Sequence, residues 1–466
     1  MSSDRSAMII LANQRGSSAR TAGDTATDDD GHAMHALASR LYPICRSLTG
    51  AGVRETLALL SEQVPLDVHE VPTGTQVFDW EIPREWRIRD AYVQDATGRR
   101  VIDFGQSNLH VVNYSRPVRA RLRWRELDEH LHSLADAPDR VPYRTSYYND
   151  TWGFCLAHRQ RLALAAQGDE DEYEVVIDAD LVAGSLSYGE VFLPGESNDE
   201  VLYSCHVCHP SLANDNLSGM VVATWLARWL MDRPRRLSHR FLFVPATIGA
   251  LTWLCRNQSR LGQVKHGLVL TLLGAGERLT YKRSRRGDAE IDTAVSHVLR
   301  QGGRPHRLLD FEPFGYDERQ YCSPGVNLPV GCLMRHLPGE YPEYHTSADD
   351  LQLIRPEILA DSLAACRSIV EVLEANRNYV SLCPCGEPQL GRRGLYRAIG
   401  GESGRADLER AVLWLLNLAD GRHSLLDVAE RAQLRFDLLA RAAELLLERQ
   451  LIRRQEDGLL RPSSHC

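Results

Sequence analysis

Residues 205–219 read Cys-His-Val-Cys-His-Pro-Ser-Leu-Ala-Asn-Asp-Asn-Leu-Ser-Gly, and this stretch is the richest in metal-binding side chains in the whole chain. An apolar run at 201–204 precedes it and a longer one at 220–226 follows it, which predicts the order strand, loop, helix. In α/β proteins, ligand sites lie at the carboxyl ends of the sheet strands. The sequence therefore predicts a metal centre at a strand end, with five candidate side chains: Cys205, His206, Cys208, His209 and Asp215.

Three other interpretations of this stretch stay open. Residues 205–209 match the C-x-x-C-H pattern of haem attachment, but the apolar run at 7–12 is too short for the signal peptide that an exported chain needs. A structural zinc site needs four ligands, usually as two separated pairs, and the other pair, Cys383 and Cys385, has the wrong spacing. Hydrogen-bonded histidines and core thiols beside a turn, without a metal, are the third interpretation.

Composition limits the function classes. A chain of 466 residues has room for two or three domains, and 43% hydrophobic and 25% charged residues are typical of a soluble protein. A net charge of −8 argues against a nucleic-acid partner. We expect no membrane contact, because no apolar run approaches the roughly 20 residues that span a bilayer. Eleven cysteines without a disulfide framework favour a cytoplasmic location.

Changes in residue composition and hydrophobic pattern along the chain predict four regions. Residues 1–33 are small and polar, which predicts a disordered N-terminus. Residues 71–180 hold short β-like runs between turn residues, which predicts an inserted β-rich domain. We expect residues 34–70 and 181–380 to form one α/β domain. Residues 387–461 read as helix, short helix, helix and a short apolar run, the order of a winged helix-turn-helix.

Hydrophobic periodicity predicts the main elements. We expect strands at 201–205, 240–244 and 267–273, and helices at 35–46, 216–231, 246–256, 291–299, 356–375, 425–433 and 436–449.

The charge of the C-terminal region bears on its partner. From 387 to 461 there are thirteen Arg, twelve acidic residues and no Lys. Affinity for DNA depends chiefly on an excess of positive charge. We therefore expect this region to contact a protein partner or a second copy of the chain rather than DNA.

The metal centre needs a ligand from elsewhere in the chain. Asp215 stands before a predicted helix, whose free N–H groups favour a negative charge. The best distant candidate is His345, because the neighbouring acids can accept its second N–H and orient the ring. The predicted metal ligands are therefore His206, His209, Asp215 and His345.

Two further polar clusters are predicted to face the same cleft. The stretch 281–286 packs four cations together and can hold a substrate carboxylate, and 315–320 is a charged loop between glycines and a proline. Each is equally compatible with a solvated surface turn. The candidate substrate-binding residues are Lys282, Arg283, Arg285, Tyr316, Asp317 and Tyr344.

The chain resembles a bacterial aminopeptidase-like family that is related to the co-catalytic zinc aminopeptidases and, more distantly, to glutaminyl cyclases. The resemblance rests on 45–50, 142–155, 206–219, 281–287, 315–320 and 340–347. It implies a phosphorylase/hydrolase-like α/β core with an inserted small domain and a C-terminal winged helix. It further implies that Asp215 matches the metal-bridging aspartate, that His206, with His209 as second choice, matches the strand-end histidine, and that His345 matches the late histidine ligand.

The sequence departs from that family at two positions. The family typically reads Pro-Glu-Thr-Ile-Gly where residues 245–249 read Pro-Ala-Thr-Ile-Gly, so Ala246 stands where a carboxylate base is expected. Ala275 stands where the next aspartate ligand is expected. Loss of a general base costs about 10²- to 10⁴-fold in rate. We therefore expect at most one zinc ion, with Glu318 or Glu340 as substitute catalytic acids.

Three functions are compatible with these residues. The first is a zinc-dependent hydrolase acting on an amide bond of a small peptide or peptide-like conjugate. The second is the same fold recruited to biosynthetic or non-hydrolytic chemistry, such as acyl transfer, cyclisation or ligand binding. The third is a transcriptional regulator with a sensing domain, which the balanced charge of 387–461 disfavours.

Overall fold

The computed structural model describes residues 27–395 and 405–455. The helices are α1 Asp28–Leu41, α2 Ala51–Ser61, α3 Trp124–Leu127, α4 His158–Ala165, α5 Gly219–Met231, α6 Ile248–Arg256, α7 Glu290–Gln301, α8 Glu318–Tyr321, α9 Pro356–Ala375, α10 Arg405–Leu418, α11 Leu425–Ala432 and α12 Phe436–Glu448. The strands are β1 Asp67–Pro72, β2 Gln76–Val77, β3 Trp80–Glu81, β4 Glu85–Gln94, β5 Arg100–Asp103, β6 Val118–Arg123, β7 Leu131–His132, β8 Phe154–Cys155, β9 Glu172–Val182, β10 Ser185–Leu193, β11 Glu200–His206, β12 Ser238–Val244, β13 Val264–Leu270, β14 Leu279–Lys282, β15 His306–Leu309, β16 Val330–Met334, β17 Asn378–Ser381, β18 Asp420–Ser424 and β19 Ile452–Arg454.

An eight-stranded mixed sheet forms the centre of the α/β domain, in the order β1-β10-β12-β11-β13-β16-β14-β15. Its four middle strands, β12, β11, β13 and β16, run parallel. Every residue of β11 is buried, as expected for a parallel strand that is covered on both faces. Alternate residues point to opposite faces: Tyr203 joins the core formed with α1, α5 and α9, whereas Leu202 joins the core that includes α6.

The predicted α/β core is confirmed, and α9 has the predicted bounds. Helix α5, however, begins at Gly219 rather than at 216. Asn216 has non-helical dihedral angles, and its side-chain oxygen accepts a hydrogen bond from the Leu272 N–H at 3.3 Å. A long-range contact therefore shortens this helix.

A second sheet, in the order β5-β4-β9-β6, forms the inserted unit and has a separate core. The predicted insertion boundaries, 71 and 180, differ slightly from the structure. Val71 lies in β1 and pairs with Leu186 in the main sheet, where it is fully buried, and β9 continues to Val182. The extra sheet therefore spans β4 to β9.

The N-terminal expectation is only partly within the described residues. Residues 1–26 lie outside them, and the prediction of disorder is wrong for 28–33, which belong to α1. Thr27 and Asp30 form a capping box that starts this helix. The helix ends at Leu41, earlier than the predicted 46.

The C-terminal region is a winged helix-turn-helix, as predicted. Its sheet has the order β18-β17-β19, so the domain begins at Asn378 rather than at 387, because β17 is the middle strand. Residues 396–404 and 456–466, including the predicted end at 461, lie outside the described residues. The domain packs on α7, where His297 Nδ1 lies 2.6 Å from a Glu430 carboxylate oxygen.

Across 27–395 and 405–455, the helices lack the combination of length and apolar character needed to cross a membrane.

Candidate metal site

Asp215 is the centre of the site and is fully buried. His206, the last residue of β11, brings its Nε2 within 2.9 Å of Asp215 Oδ1. His345 arrives from the loop after β16, and its Nε2 lies 3.0 Å from Asp215 Oδ2. His209 Nδ1 lies 3.4 Å from the same Oδ2 and 3.2 Å from the Asp215 carbonyl. The structure thus brings all four predicted ligands together.

The electrostatics of the cluster favour an ionised carboxylate surrounded by imidazoles. Burial opposes ionisation of Asp215, but His209, His206 and His345 together hold its pKa well below the usual value. Burial lowers the pKa of His206 despite the hydrogen bond to Asp215. Burial also opposes protonation of His209, yet Asp215 raises its pKa well above the usual value. The buried carboxylate is therefore surrounded by imidazoles whose pKa values are shifted in opposite directions.

Asp349 fixes the backbone that carries Asp215, a role the sequence did not reveal. Its Oδ1 accepts from the Asn214 N–H at 2.5 Å and its Oδ2 from the Asp215 N–H at 3.1 Å. The Tyr341 hydroxyl donates to the same Oδ2 at 3.1 Å. Burial raises the pKa of Asp349 to about 7, against these hydrogen bonds. The acidic residues close to His345 were the available signal.

Side chains of the stretch Asn-Asp-Asn-Leu-Ser-Gly (214–219) hold the neighbouring loop after β13. Asn214 Oδ1 accepts from the Gly274 N–H at 3.0 Å, and Ser218 Oγ accepts from the Leu273 N–H at 2.9 Å. That loop continues into Ala275, which is buried. The loop backbone is therefore held firmly although it carries no carboxylate at 275.

Ala246 follows the end of β12 and is half-buried. The loop 315–319 lies against this segment, since Arg319 Nη2 is 3.5 Å from Thr247 Oγ1. Cys208 Sγ is 4.0 Å from the Ala246 carbonyl. A methyl group thus occupies the position at which the related family has a glutamate.

The loop 315–319 supplies three candidate side chains. The Tyr316 ring stacks on His206 with centroids 5.0 Å apart, and its hydroxyl is 3.5 Å from Asp215 Oδ1. Asp317 is buried, and burial followed by the charge of Glu318 raises its pKa to about 7. Glu318 is also buried and lies 2.5 Å from Lys282 Nζ.

Three of the predicted site residues contact partners away from Asp215. Arg283 pairs with Asp310 at 2.8 Å, and Arg285 Nη1 lies 3.3 Å from Asn327 Oδ1. Glu340 pairs with Arg307 at 2.8 Å, and this partner lowers the pKa of Glu340 to about 2. The geometry therefore argues against Glu340 as a base and against Arg283 and Arg285 as substrate ligands, because each side chain already has a partner away from Asp215.

Aromatic side chains cover the cluster. Tyr344 stacks on His345 with centroids 4.0 Å apart. Tyr143, from the inserted unit, packs edge-on against His209 at 5.2 Å and His345 at 5.1 Å, and its N–H donates to the His345 carbonyl at 2.7 Å. Sequence reasoning did not assign Tyr143 to the site, although it lies in a visibly aromatic stretch.

Arg46 supports the site from the N-terminal side and was also missed. It is completely buried, and its Nε donates to the His209 carbonyl at 2.7 Å. Its Nη1 donates to the Leu41 carbonyl at 2.6 Å. The first helix and the loop of candidate ligands are thereby joined through one guanidinium group.

A parallel-centred sheet with candidate histidine and aspartate ligands at a strand end is the arrangement of an aminopeptidase-like α/β domain, here followed by a winged helix. The chain belongs to the family described as a domain of unknown function (DUF4910), whose model matches residues 35–376. A winged helix-turn-helix model matches residues 377–454.

Known proteins support this assignment. A Clostridium acetobutylicum protein named for polysaccharide biosynthesis and for its aminopeptidase-like domain is 46% identical, over 92% of this chain and 97% of its own. A crystal structure of a C. acetobutylicum protein named as a peptidase matches with a TM-score of 0.86 and 44% identity, over 92% of this chain and 97% of that one. The zinc aminopeptidase of Bacillus subtilis shares the fold, with a TM-score of 0.54 and 14% identity over 75% and 95% of the two chains.

Proposed function

We propose that the chain is a zinc-dependent hydrolase that holds one metal ion and cleaves an amide bond of a small peptide or peptide-like conjugate. The observation that carries this proposal is the convergence of His206 and His345 on the two different oxygens of Asp215, at 2.9 and 3.0 Å. Both imidazoles and the carboxylate are ligand types that zinc prefers.

The residues present fit one zinc ion. His206 is buried, burial lowers its pKa, which favours the neutral ring that a metal binds, and its Nδ1 has no hydrogen-bond partner within the described part of the chain. The ligand atoms of His206, His209 and Asp215 lie within 4.8 Å of one another. Ala246 and Ala275 supply no carboxylate for a second ion. A bound zinc would supply Lewis-acid activation of water and of the amide carbonyl.

Asp317 is the residue that we assign to proton transfer in place of the missing glutamate. Its Oδ1 is buried and lacks a partner within the described residues. A pKa of about 7 lets a carboxylate accept and release a proton near neutral pH. Glu318, which the sequence suggested as a catalytic acid, forms an ion pair with Lys282.

The cover over the site favours a small substrate. Tyr143 and Tyr344 pack directly on the imidazoles, and Pro142 pairs with Thr346 across the two domains. We expect these contacts to limit the access of an extended protein chain to Asp215. A single residue or a small conjugate is the substrate size that this cover accommodates.

Zinc titration followed by hydrolysis assays tests the proposal. The metal-free chain should bind about one equivalent of Zn²⁺ by calorimetry, and the loaded chain should hydrolyse aminoacyl or N-acyl amides. The proposal fails if zinc does not bind, or if the loaded chain turns over neither class of amide.

A second candidate is a biosynthetic, non-hydrolytic role for the same site. Two alanines at the positions of expected carboxylates, and the naming of a 46% identical relative for polysaccharide biosynthesis, favour it. It predicts zinc binding without amide hydrolysis.

A further inference from the structure

Three exposed aromatic residues stand out on the surface of the chain. Phe78 is 44% exposed, Trp80 38% and Tyr148 49%. The Trp80 and Tyr148 rings meet edge to face, with centroids 5.3 Å apart and planes at 77°. We call Phe78, Trp80 and Tyr148 the aromatic rim. Phe78 lies in the turn between β2 and β3, two residues before Trp80. A contiguous exposed apolar patch commonly marks a binding surface.

Two members of the rim have a strained backbone. Phe78 has φ of 55° and Tyr148 has φ of 64°, a left-handed conformation that is unfavourable for a bulky residue. Asn or Gly adopts this conformation more easily. Because neither ring is buried, core packing does not offset that cost. Strain of this kind is typical of ligand-binding positions.

The rim is connected to the candidate metal site through intervening residues. Trp80 pairs with Val77 across the β2–β3 hairpin, and Val77 belongs to the same apolar cluster as Cys208 and Tyr316. On the other side, Tyr147 precedes Tyr148, and its hydroxyl lies 3.1 Å from that of Tyr143. Tyr143 in turn packs on His209 and His345, so a chain of contacts joins Tyr148 to the imidazoles.

We propose that the aromatic rim binds a sugar ring of the substrate, so that the peptide-like conjugate is an amide-bearing amino sugar. The negative face of an aromatic ring attracts the weakly positive C–H groups of a pyranose. Asp79, Asn149 and Asp150 are exposed next to the rings and can bind hydroxyl groups. This inference rests on the proposed amide chemistry for the conjugate, but the sugar contact is independent of zinc.

Calorimetry with the full chain tests the rim, using tri-N-acetylchitotriose as the sugar probe and the amide of trileucine as the apolar peptide probe. Trp80→Ala should weaken sugar binding by about tenfold, the loss expected for one aromatic contact. Phe192→Ala is the matched control. Phe192 is also 38% exposed, but it pairs with Arg240 near the start of β12, at the opposite end of that strand from Ala246.

Tyr148→Asn separates binding from folding. Because Asn tolerates the left-handed conformation, this variant should unfold at the same temperature as the parent chain or a higher one, while its affinity for the sugar falls. A structural role for the ring predicts the opposite, a lower unfolding temperature with sugar affinity retained.

These measurements test sugar binding by the aromatic rim, and they do so independently of zinc binding. Sugar binding that is lost in the Trp80 and Tyr148 variants but kept in the Phe192 variant supports the proposal, with or without zinc. It is overturned if the sugar does not bind, if only trileucine amide binds, or if all variants bind the sugar equally. Zinc stoichiometry, measured on the same variants, reports on the proposed hydrolase alone.

Discussion

The two halves of the candidate site differ in the metal-binding side chains that they supply. The half formed by the end of β11 and by the 345 loop keeps its histidines and Asp215 in contact. The half formed by the loops after β12 and β13 presents Ala246 and Ala275. The backbone of the second half is nevertheless held by Asn214 and Ser218. The fold therefore maintains the architecture of the site independently of the carboxylates that two-metal chemistry needs.

The largest expected effect comes from breaking the intact half. His345→Ala removes one imidazole, and we expect zinc affinity to fall by at least about 100-fold, since one of few ligands is lost. The unfolding temperature should then no longer rise with zinc, whereas the parent chain should gain about 2.7 kcal/mol at a hundred times the dissociation constant. His423→Ala, at a half-buried histidine of the winged helix paired with Asp420, is the control. Equal zinc affinity in the two variants would remove His345 from the ligand set.

Adding a carboxylate to the half of the site that contains Ala246 is expected to have the next largest effect, here on the rate of hydrolysis. Ala246→Glu places a carboxylate where the related family has one, and a general base contributes about 10²- to 10⁴-fold. We expect amide hydrolysis by the zinc-loaded chain to rise by about 100-fold. Ala246→Gln has nearly the same shape without the charge and should leave the rate unchanged. An equal increase in both variants would mean that size, not proton transfer, is responsible.

The next prediction concerns how the stability contributed by Asp317 depends on pH. Its pKa is raised from 3.8 to about 7, so the folded state holds the proton more tightly than the unfolded state does. The stabilisation from that proton is complete below about pH 4 and is lost as pH rises through about 7. Asp317→Asn should therefore increase the free energy of unfolding more at pH 8 than at pH 5, by on the order of 2 kcal/mol.

Two measurements check that expectation. Denaturant unfolding at the two pH values gives the stability difference, and no difference would place the Asp317 carboxyl in contact with water or with a cation. In the parent chain, hydrolysis should increase as pH rises through about 7, because the base must be ionised. A rate that is unaffected by pH in this range would exclude Asp317 as the base.

The smallest expected effect concerns the support of Asp215. Asp349→Asn leaves one oxygen to accept two backbone N–H groups, and residues that orient metal ligands typically contribute 10- to 100-fold to metal affinity. We expect zinc affinity to fall by about tenfold. Asp350→Asn is the neighbouring control, because Asp350 accepts from Gln352 N at 2.8 Å and Leu353 N at 3.2 Å within a local turn. Identical zinc affinities would show that Asp349 serves stability alone.

Much of the fold could be predicted from the sequence, because hydrophobic periodicity is a local property. Helix α9 has its predicted bounds, and β11 and β12 lie within two residues of theirs. The errors arise where a distant contact decides a local end. Asn216 is held by Leu272, so α5 starts late, and Val71 pairs with Leu186, so the insertion starts after β1.

The type of site and its candidate ligands could be predicted from the sequence alone, because histidine, cysteine and aspartate are concentrated after one apolar strand. Which of the other charged side chains join that site was decided only by the path of the chain. Glu340 meets Arg307, while Tyr143 arrives from a separate sheet to pack on His345. Such pairings depend on distances between segments that are far apart in sequence, and these distances exist only once the whole core has formed.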